Sequence, residues 1–147
     1  MQFTPYLSFQ GECREALTTY AEIFGGTTQL MPFSDMPAGD GMPRLEHGQA
    51  DWIMHGQLDL PDGGVLMGAD MPSQYGGTKM AGSSVAISLP SAAEVNRVFT
   101  ALATAATIGM PVGPTFFSPA FGMLTDRFGT SWMIMAAPAE QPDGAAA

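Results

Sequence analysis

The side chains in this sequence with the widest chemical range are its two histidines, and His55 is the better placed of them. It lies in ADWIMHGQLDL (50–60), where polar and apolar positions alternate as they do along a half-buried strand. The alternation assigns one face to Trp52, Met54, Leu58 and Leu60 and the other to Ile53, His55, Gln57 and Asp59. An imidazole on the polar face could exchange protons with a ligand or hydrogen-bond to it. It could equally be a structural histidine that hydrogen-bonds between two sheets.

Tyr6 and Asp70 are further candidates for polar contacts with a ligand. Tyr6 lies in FTPYLSF (3–9), another alternating stretch. Its two predicted faces are Phe3, Pro5, Leu7 and Phe9 on one side and Thr4, Tyr6 and Ser8 on the other. Asp70 stands beside the junction between the two halves of the chain. It could bind a polar ligand group, although a turn-capping role is the stronger expectation.

Two other reactive side chains are expected to take no part in a site. Cys13 lies at the first turn of a predicted helix, where the helix dipole could lower the pKa of a thiol. Its spacing with the apolar residues of that helix instead predicts a small, inert core residue. His47 lies in a loop rich in glycine and proline (34–48) and is expected to be solvated.

Methionine and phenylalanine are the soft and apolar candidates. The chain has 12 methionines, and this side chain adapts to irregular apolar space and to varied ligands. Methionines on an inward face could therefore bind a ligand or simply fill the space. Phe116, Phe117 and Phe121 stand close together in the sequence, and they could stack on a flat ligand or close the edge of a sheet.

The elements that must position these side chains occur in the same order twice. The first set is a strand at 3–9, a helix ending at Gly25-Gly26, a strand at 27–33 and a hairpin within 50–71. The second is a strand at 83–89, a helix opened by the capping box Ser91 to Glu94, a strand at 106–114 and the hairpin FGMLTDRFGTSWMIM (121–135). We therefore predict an α+β domain over 1–137, with βαβββ modules at about 1–72 and 83–137. The two modules would form a curved mixed sheet around a cleft, and 138–147 would be a disordered tail.

Composition limits the partners and the compartment. The net charge of −9 argues against nucleic acid, which needs clustered Lys and Arg, and against an anionic membrane surface. A single cysteine is typical of a reducing compartment. The sequence contains neither a signal-peptide pattern nor an apolar run long enough to span a bilayer, so we expect a cytoplasmic protein.

Several stretches resemble a known family. They are TPYLSFQGECREAL with Tyr20 and FGG (24–26), MHGQL (54–58), MGADMPS (67–73), and TFF with FGMLTDRFGTSWMI (115–134). Together they resemble the PhnB-like branch of the vicinal-oxygen-chelate superfamily, which includes glyoxalases, bleomycin-resistance proteins and extradiol dioxygenases. The resemblance implies a glyoxalase/bleomycin-resistance-like fold with a ligand cleft. It does not imply one activity, because this superfamily includes lyases, dioxygenases, epimerases and drug-binding proteins without catalysis.

The resemblance also implies four positions at which the superfamily's enzymes bind a divalent metal. They correspond here to Tyr6, Met67, Ser84 and Met133. None is a good ligand for zinc, nickel, iron or manganese, and a thioether prefers Cu(I). We therefore expect no metal and no other cofactor. The predicted ligand cleft consists of Tyr6, His55, Met67, Asp70, Ser84, Phe116, Phe117 and Met133, with Tyr6 and His55 as candidate catalytic residues.

Three functions remain open from the sequence. The first is a binding protein for a small, partly apolar or aromatic molecule. The second is a metal-independent enzyme, isomerase-like or lyase-like, that uses Tyr6 and His55, with Asp70 as a further candidate. The third, a demethylquinone methyltransferase, is the weakest, because the sequence lacks the glycine-rich strand–loop–helix of a nucleotide-bearing cofactor. The resemblance also implies a homodimer, which would cover the open edges of the two sheets.

Overall fold

The predicted order of elements is confirmed in a computed structural model, which describes residues 1–37, 39, 41 and 44–138. The first set is β1 (Tyr6–Phe9), α1 (Cys13–Phe24), β2 (Thr27–Pro32), β3 (Ile53–Asp59) and β4 (Val65–Asp70). The second set is β5 (Val85–Leu89), α2 (Ala92–Leu102), β6 (Thr107–Gly113), β7 (Phe121–Thr125) and β8 (Ser131–Ala136). The protein is therefore an α+β fold of two βαβββ modules.

Each module builds its own four-stranded mixed sheet. The chain divides into compact units at Met1–Gly82 and Ser83–Ala147. The strand order is β1-β4-β3-β2 in the first unit and β5-β8-β7-β6 in the second. In both sheets the first strand of the module runs parallel to its last strand, while the other neighbours are antiparallel. The last strand of each module is therefore an inner strand of its sheet.

The core of the first module lies between α1 and one face of its sheet. The helix buries Cys13, Ala16, Leu17 and Tyr20. Gly56 in β3 allows the close approach, because a Cβ there would lie 2.5 Å from Cδ1 of Leu17. The helix ends where predicted, at Gly25, which adopts a positive φ of 71° that glycine tolerates best.

The second module repeats this arrangement with α2. Ser91 caps the helix, as predicted, by accepting a hydrogen bond from the Glu94 amide at 3.2 Å. Val95, Val98 and Leu102 are buried, whereas Phe99 is only partly buried. A Cβ at Gly122 would lie 2.8 Å from the Phe99 ring. Glycine in β7 therefore makes room for this aromatic side chain.

The last hairpin is fixed by the buried carboxylate of Asp126. One oxygen accepts from the amides of Phe128 and Thr130, at 2.9 and 3.0 Å, and the other from the indole of Trp132 at 2.8 Å. Three donors on one carboxylate hold the turn and the returning strand together. The predicted hairpin is confirmed.

Two details differ from the predictions, and one prediction falls outside the described residues. The first strand begins at Tyr6, and Phe3, predicted on the apolar face, is 91% exposed. Ile53, predicted on the polar face of its strand, is fully buried, since it opens β3 and its amide is bonded to the buried Asp70. Most of the predicted disordered tail, 139–147, lies outside the described residues.

Candidate functional site

The face of the first sheet that lies opposite α1 carries Tyr6 and His55, two of the predicted polar candidates. Side chains that face the helix can be recognised from Gly56 and Gly68, whose Cβ positions would meet Leu17 and Cys13. Since side chains alternate along a strand, the neighbouring positions face the other way. We call that side the open face of the first sheet. It consists of Tyr6, Ser8, Thr27, Gln29, Met31, His55, Gln57, Asp59, Val65, Met67 and Ala69.

Tyr6 and His55 meet on this open face although 49 positions separate them in the sequence. The Tyr6 hydroxyl lies 2.9 Å from Nδ1 of His55, and the ring centroids are 5.7 Å apart. Partial burial raises the pKa of Tyr6, and the nearby Cys13 thiol adds to the shift. The phenol is therefore protonated at neutral pH. Which atom donates depends on the histidine tautomer.

A pocket of about 240 Å³ opens beside this pair. Its lining is mostly apolar and includes Tyr6 and Ser8 from the open face, Met54 from the start of β3, and Phe33, Met71 and Tyr75 from the surrounding segments. At this volume the pocket fits a small ligand, or one part of a larger ligand. Tyr6 is the residue that belongs both to the pocket and to the hydrogen-bonded pair.

Asp70 also borders the pocket, but its carboxylate is committed to the backbone. One oxygen accepts from the amides of Gly11 and Cys13, at 2.7 and 3.0 Å, and the other from Ile53 at 2.8 Å. The residue is 2% exposed. It places a negative charge at the start of α1, where no side chain from the local sequence caps the helix. These contacts support the capping role that the sequence favoured over ligand binding. Asp70 caps the start of α1, however, rather than a turn.

The open face also carries a polar group that the sequence did not single out. Asp59 accepts from Nε2 of Gln29 at 2.8 Å and from Nε2 of Gln57 at 2.6 Å. Gln29 and Gln57 are register partners on neighbouring strands, and Gln57 is also the partner of Met67. The alternation of β3 placed Gln57 and Asp59 beside His55, but Gln29 joins them only through strand pairing.

The other predicted site residues belong to the second module. Met133 is flanked by its register partners Ala86 and Met123, and Met123 is in turn paired with Met110. Ser84, which the resemblance placed at a metal-ligand position, precedes β5. The residue of β5 that pairs with Met133 is Ala86. Tyr6 and Met67 are register partners in the corresponding positions of the first sheet.

These positions do not fit the divalent metal that the superfamily resemblance implies. Zinc, nickel, iron and manganese require imidazole or carboxylate ligands. The four positions offer instead a phenol, two thioethers and either a serine hydroxyl or an alanine methyl group. Within the described residues, no group of three or more His, Cys, Asp or Glu side chains is arranged to hold a metal ion.

The three phenylalanines form a ladder of edge-to-face contacts. Phe116 and Phe117 have ring centroids 5.1 Å apart, and Phe117 and Phe121 are also separated by 5.1 Å. Phe121 is buried, whereas Phe116 is 100% exposed. Phe121 therefore packs into the second module at the start of β7, while the Phe116 ring faces solvent. Stacking of these rings on a ligand stays a prediction.

Cys13 and His47 lie where the sequence predicted. Cys13 is fully buried, and burial with the nearby Asp70 carboxylate raises its pKa to about 12. His47 is exposed. Neither residue belongs to the open face.

No helix within the described ranges is both long and apolar enough to cross a membrane.

Comparison with known proteins gives consistent matches along the chain. The family model described as 3-demethylubiquinone-9 3-methyltransferase matches residues 1–135. Protein YjdN of Escherichia coli (strain K12) is 31% identical over 140 residues, which cover 91% of this chain and 94% of YjdN.

Solved structures extend these similarities. The crystal structure of protein PA1353 from Pseudomonas aeruginosa is 39% identical, with a TM-score of 0.83, and the match covers 93% of this chain and 98% of that one. A putative 3-demethylubiquinone-9 3-methyltransferase, PhnB protein, from Bacillus cereus is 26% identical, with a TM-score of 0.69 and coverage of 93% and 100%. A glyoxalase/bleomycin resistance protein/dioxygenase family enzyme from Burkholderia phytofirmans shares the fold, at 11% identity, a TM-score of 0.61 and coverage of 92% and 97%.

Proposed function

The chain belongs to the PhnB-like branch of the glyoxalase/bleomycin resistance/dioxygenase superfamily, and from this premise we propose that it binds a small molecule without the superfamily's divalent metal. The proposed site consists of the open face of the first sheet and its adjoining pocket. Tyr6 and His55 supply its polar contacts, and Met67 supplies part of its floor. The ligand contacts predicted in the second module, Ser84, Phe116, Phe117 and Met133, stay a separate prediction and form no part of this proposed site.

The observation that carries this proposal is the Tyr6–His55 hydrogen bond at the edge of an apolar pocket. The 2.9 Å contact joins two side chains from different strands on a partly exposed surface. A pocket of mostly apolar lining with a few convergent polar groups is the usual form of a small-molecule site. The pair would orient the ligand, while the pocket would exclude water from its apolar part.

A ligand screen tests the proposal directly. We expect at least one member of a broad metabolite and antibiotic panel to raise the melting temperature, and the rise to shrink in Tyr6→Phe and in His55→Gln. His47→Gln is the matched control, because His47 is exposed and lies outside the proposed site. A panel without any stabilising compound would argue against a binding role, and so would equal losses in the His55 and His47 variants.

A second candidate, a metal-independent isomerase, is favoured by the same hydrogen bond. With the proton on Nδ1, His55 donates to the Tyr6 oxygen, and the Tyr6 hydroxyl proton is free to donate to a substrate carbonyl. The unprotonated Nε2 could then take a proton from the carbon beside that carbonyl and return it to another carbon of the resulting enolate, whose oxygen accepts a hydrogen bond from the Tyr6 hydroxyl. The reaction therefore moves one proton, Tyr6 keeps its own, and no cofactor is needed. The test of the isomerase is exchange of that carbon-bound proton for deuterium in D₂O. The exchange should be lost in both Tyr6→Phe and His55→Gln.

The methyltransferase description of the family is not carried over to this chain as an activity. The chain has two βαβββ modules and lacks the glycine-rich sequence pattern that binds a nucleotide-bearing methyl donor. Calorimetry with S-adenosylmethionine is the direct test, and saturable binding at one molecule per chain would reinstate the methyltransferase.

The proposed assembly is a homodimer, and the proposed compartment is the cytoplasm. Edge strand β6 supports association through its side chains, because Ile108 and Met110 are 43% and 45% exposed. Pro111 and two register shifts interrupt the strand itself, so we propose a contact between apolar side chains of two copies rather than a continuous sheet. Light scattering should give about twice 15.4 kDa, and a single-chain mass at micromolar concentration would refute the dimer. The charge of −9 supports the proposal that nucleic acid is not a partner.

A further inference from the structure

The group formed by Gln29, Gln57 and Asp59 has a hydrogen-bond polarity that selects one class of ligand. Both amide groups direct a donor to the carboxylate, at 2.8 and 2.6 Å. Each amide nitrogen therefore faces Asp59, and each carbonyl oxygen is turned away from it. Among the described residues neither carbonyl oxygen has a hydrogen-bond partner, and Asp59 forms no ion pair.

Acceptors dominate this end of the open face. Two amide oxygens and the remaining lone pairs of a carboxylate lie on adjacent strands, because Gln29 and Gln57 are register partners and Asp59 follows Gln57 by two residues. A ligand group that matches this arrangement must donate several hydrogen bonds, and a positive charge suits the carboxylate. A protonated amine has both properties. The chain's net charge of −9 also favours a cation.

We propose that the open face of the first sheet binds a small molecule with a protonated amine at its Asp59 end and a carbonyl or hydroxyl oxygen at its Tyr6–His55 end. This inference rests on the proposed function and adds the chemical class of its ligand. His55, Gln57 and Asp59 alternate on one strand, so the two ends of the site are about 13 Å apart along the backbone. Met67, which is the register partner of both Tyr6 and Gln57, lies between the two ends. The ligand is therefore extended, with a short apolar middle beside Met67.

A matched pair of probes tests the amine requirement. Titrations of the full-length, isotope-labelled protein with 6-aminohexan-1-ol and with hexane-1,6-diol would be followed by NMR. We expect saturable shifts of the side-chain amide signals of Gln29 and Gln57 with the amino alcohol, together with shifts of His55 ring signals. The diol, which carries a neutral hydroxyl in place of the protonated amine, should bind at least about tenfold more weakly.

Variants separate a built site from general attraction to an acidic protein. Asp59→Asn should weaken the amino alcohol about tenfold or more, whereas Asp51→Asn, which removes the same charge from an exposed residue outside the open face, should leave its binding unchanged. Gln57→Leu, which keeps the size of the side chain and removes its acceptor, should weaken binding several-fold. A retained far-ultraviolet spectrum in each variant excludes unfolding as the cause.

Two results would overturn the inference. One is equal binding of the amino alcohol and the diol, or no binding of either. The other is an equal loss in Asp59→Asn and Asp51→Asn, which would mean attraction to the net charge alone. If the ligand screen then yields a neutral molecule that binds through Tyr6 and His55, the proposed binding function is supported and only the amine requirement is refuted. If the screen also yields no ligand, the proposed function fails as well.

Discussion

Replacement of Asp70 by asparagine should destabilise the protein strongly, although it changes one atom and little volume. The carboxylate now accepts three backbone hydrogen bonds, from Gly11, Cys13 and Ile53, and is almost fully buried. An asparagine that keeps its oxygen toward Gly11 and Cys13 must turn its NH₂ group toward the Ile53 amide, which is also a donor. The Ile53 amide then loses its acceptor, and the Gly11 and Cys13 amides keep a neutral acceptor in place of a charged one.

The cost follows from these contacts. A buried, unsatisfied amide costs about 1–3 kcal/mol, and a neutral acceptor in place of a charged one weakens each remaining bond. We expect a loss of about 3 kcal/mol in the free energy of unfolding. At about 2–4 °C per kcal/mol for a chain of this size, the melting temperature should fall by about 6–12 °C.

Urea unfolding followed by far-ultraviolet circular dichroism measures this loss. Asp51→Asn is the control, because it makes the same change in charge at an exposed side chain and should stay within about 0.5 kcal/mol of the parent. If Asp70→Asn were as stable as this control, the three hydrogen bonds would not hold α1 and β3 as described. Asp70 would then return to the list of candidate ligand residues.

Three further predictions concern other residues. Cys13 should resist thiol reagents at pH 8 until the protein unfolds, since its pKa is raised to about 12. The thiol of the unfolded chain ionises near its ordinary pKa, so the free energy of unfolding should also decline as pH rises above about 8.5. Cys13→Ala should remove that part of the decline. Met133→Glu should lower the free energy of unfolding at pH 8 by about 1 kcal/mol or more, because it places a carboxylate between Ala86 and Met123, and an unchanged melting temperature would mean that the position is well solvated. Ser91→Ala should cost about 1 kcal/mol through loss of the α2 cap, and Ser91→Gly, measured by the same unfolding assay, only a few tenths; equal losses would contradict the capping role.

Local patterns in the sequence were sufficient to predict most of the fold. Alternation placed Tyr6 and His55 on polar strand faces, and the two capping signals marked the end of α1 and the start of α2. The errors lie at strand ends, where alternation stops. Phe3 precedes the first paired residue, and Ile53 is buried through a bond to a distant carboxylate.

The site was less predictable because it depends on which strands are neighbours. The distance between Tyr6 and His55 is set by β4, which lies between their strands, and Gln29 reaches Asp59 only through the pairing of β2 with β3. Ser84 could not be distinguished from Ala86 without the register of β5 against β8. Hydrophobic pattern identifies the face of a strand, but not its partner across the sheet.

The inner position of β8 also bears on how the protein is made. Ser131–Ala136 pair with β5 on one side and with β7 on the other, so the second sheet has a gap until residue 136 has been synthesised. The first module needs only the chain up to Asp70 to complete its sheet, and it can fold earlier during translation. During that interval the apolar strands β5, β6 and β7 have emerged without their central partner, and the Met- and Phe-rich segment 108–124 is exposed to other chains. We therefore expect slow translation of residues 83–136, rather than of the first module, to increase aggregation of the nascent protein.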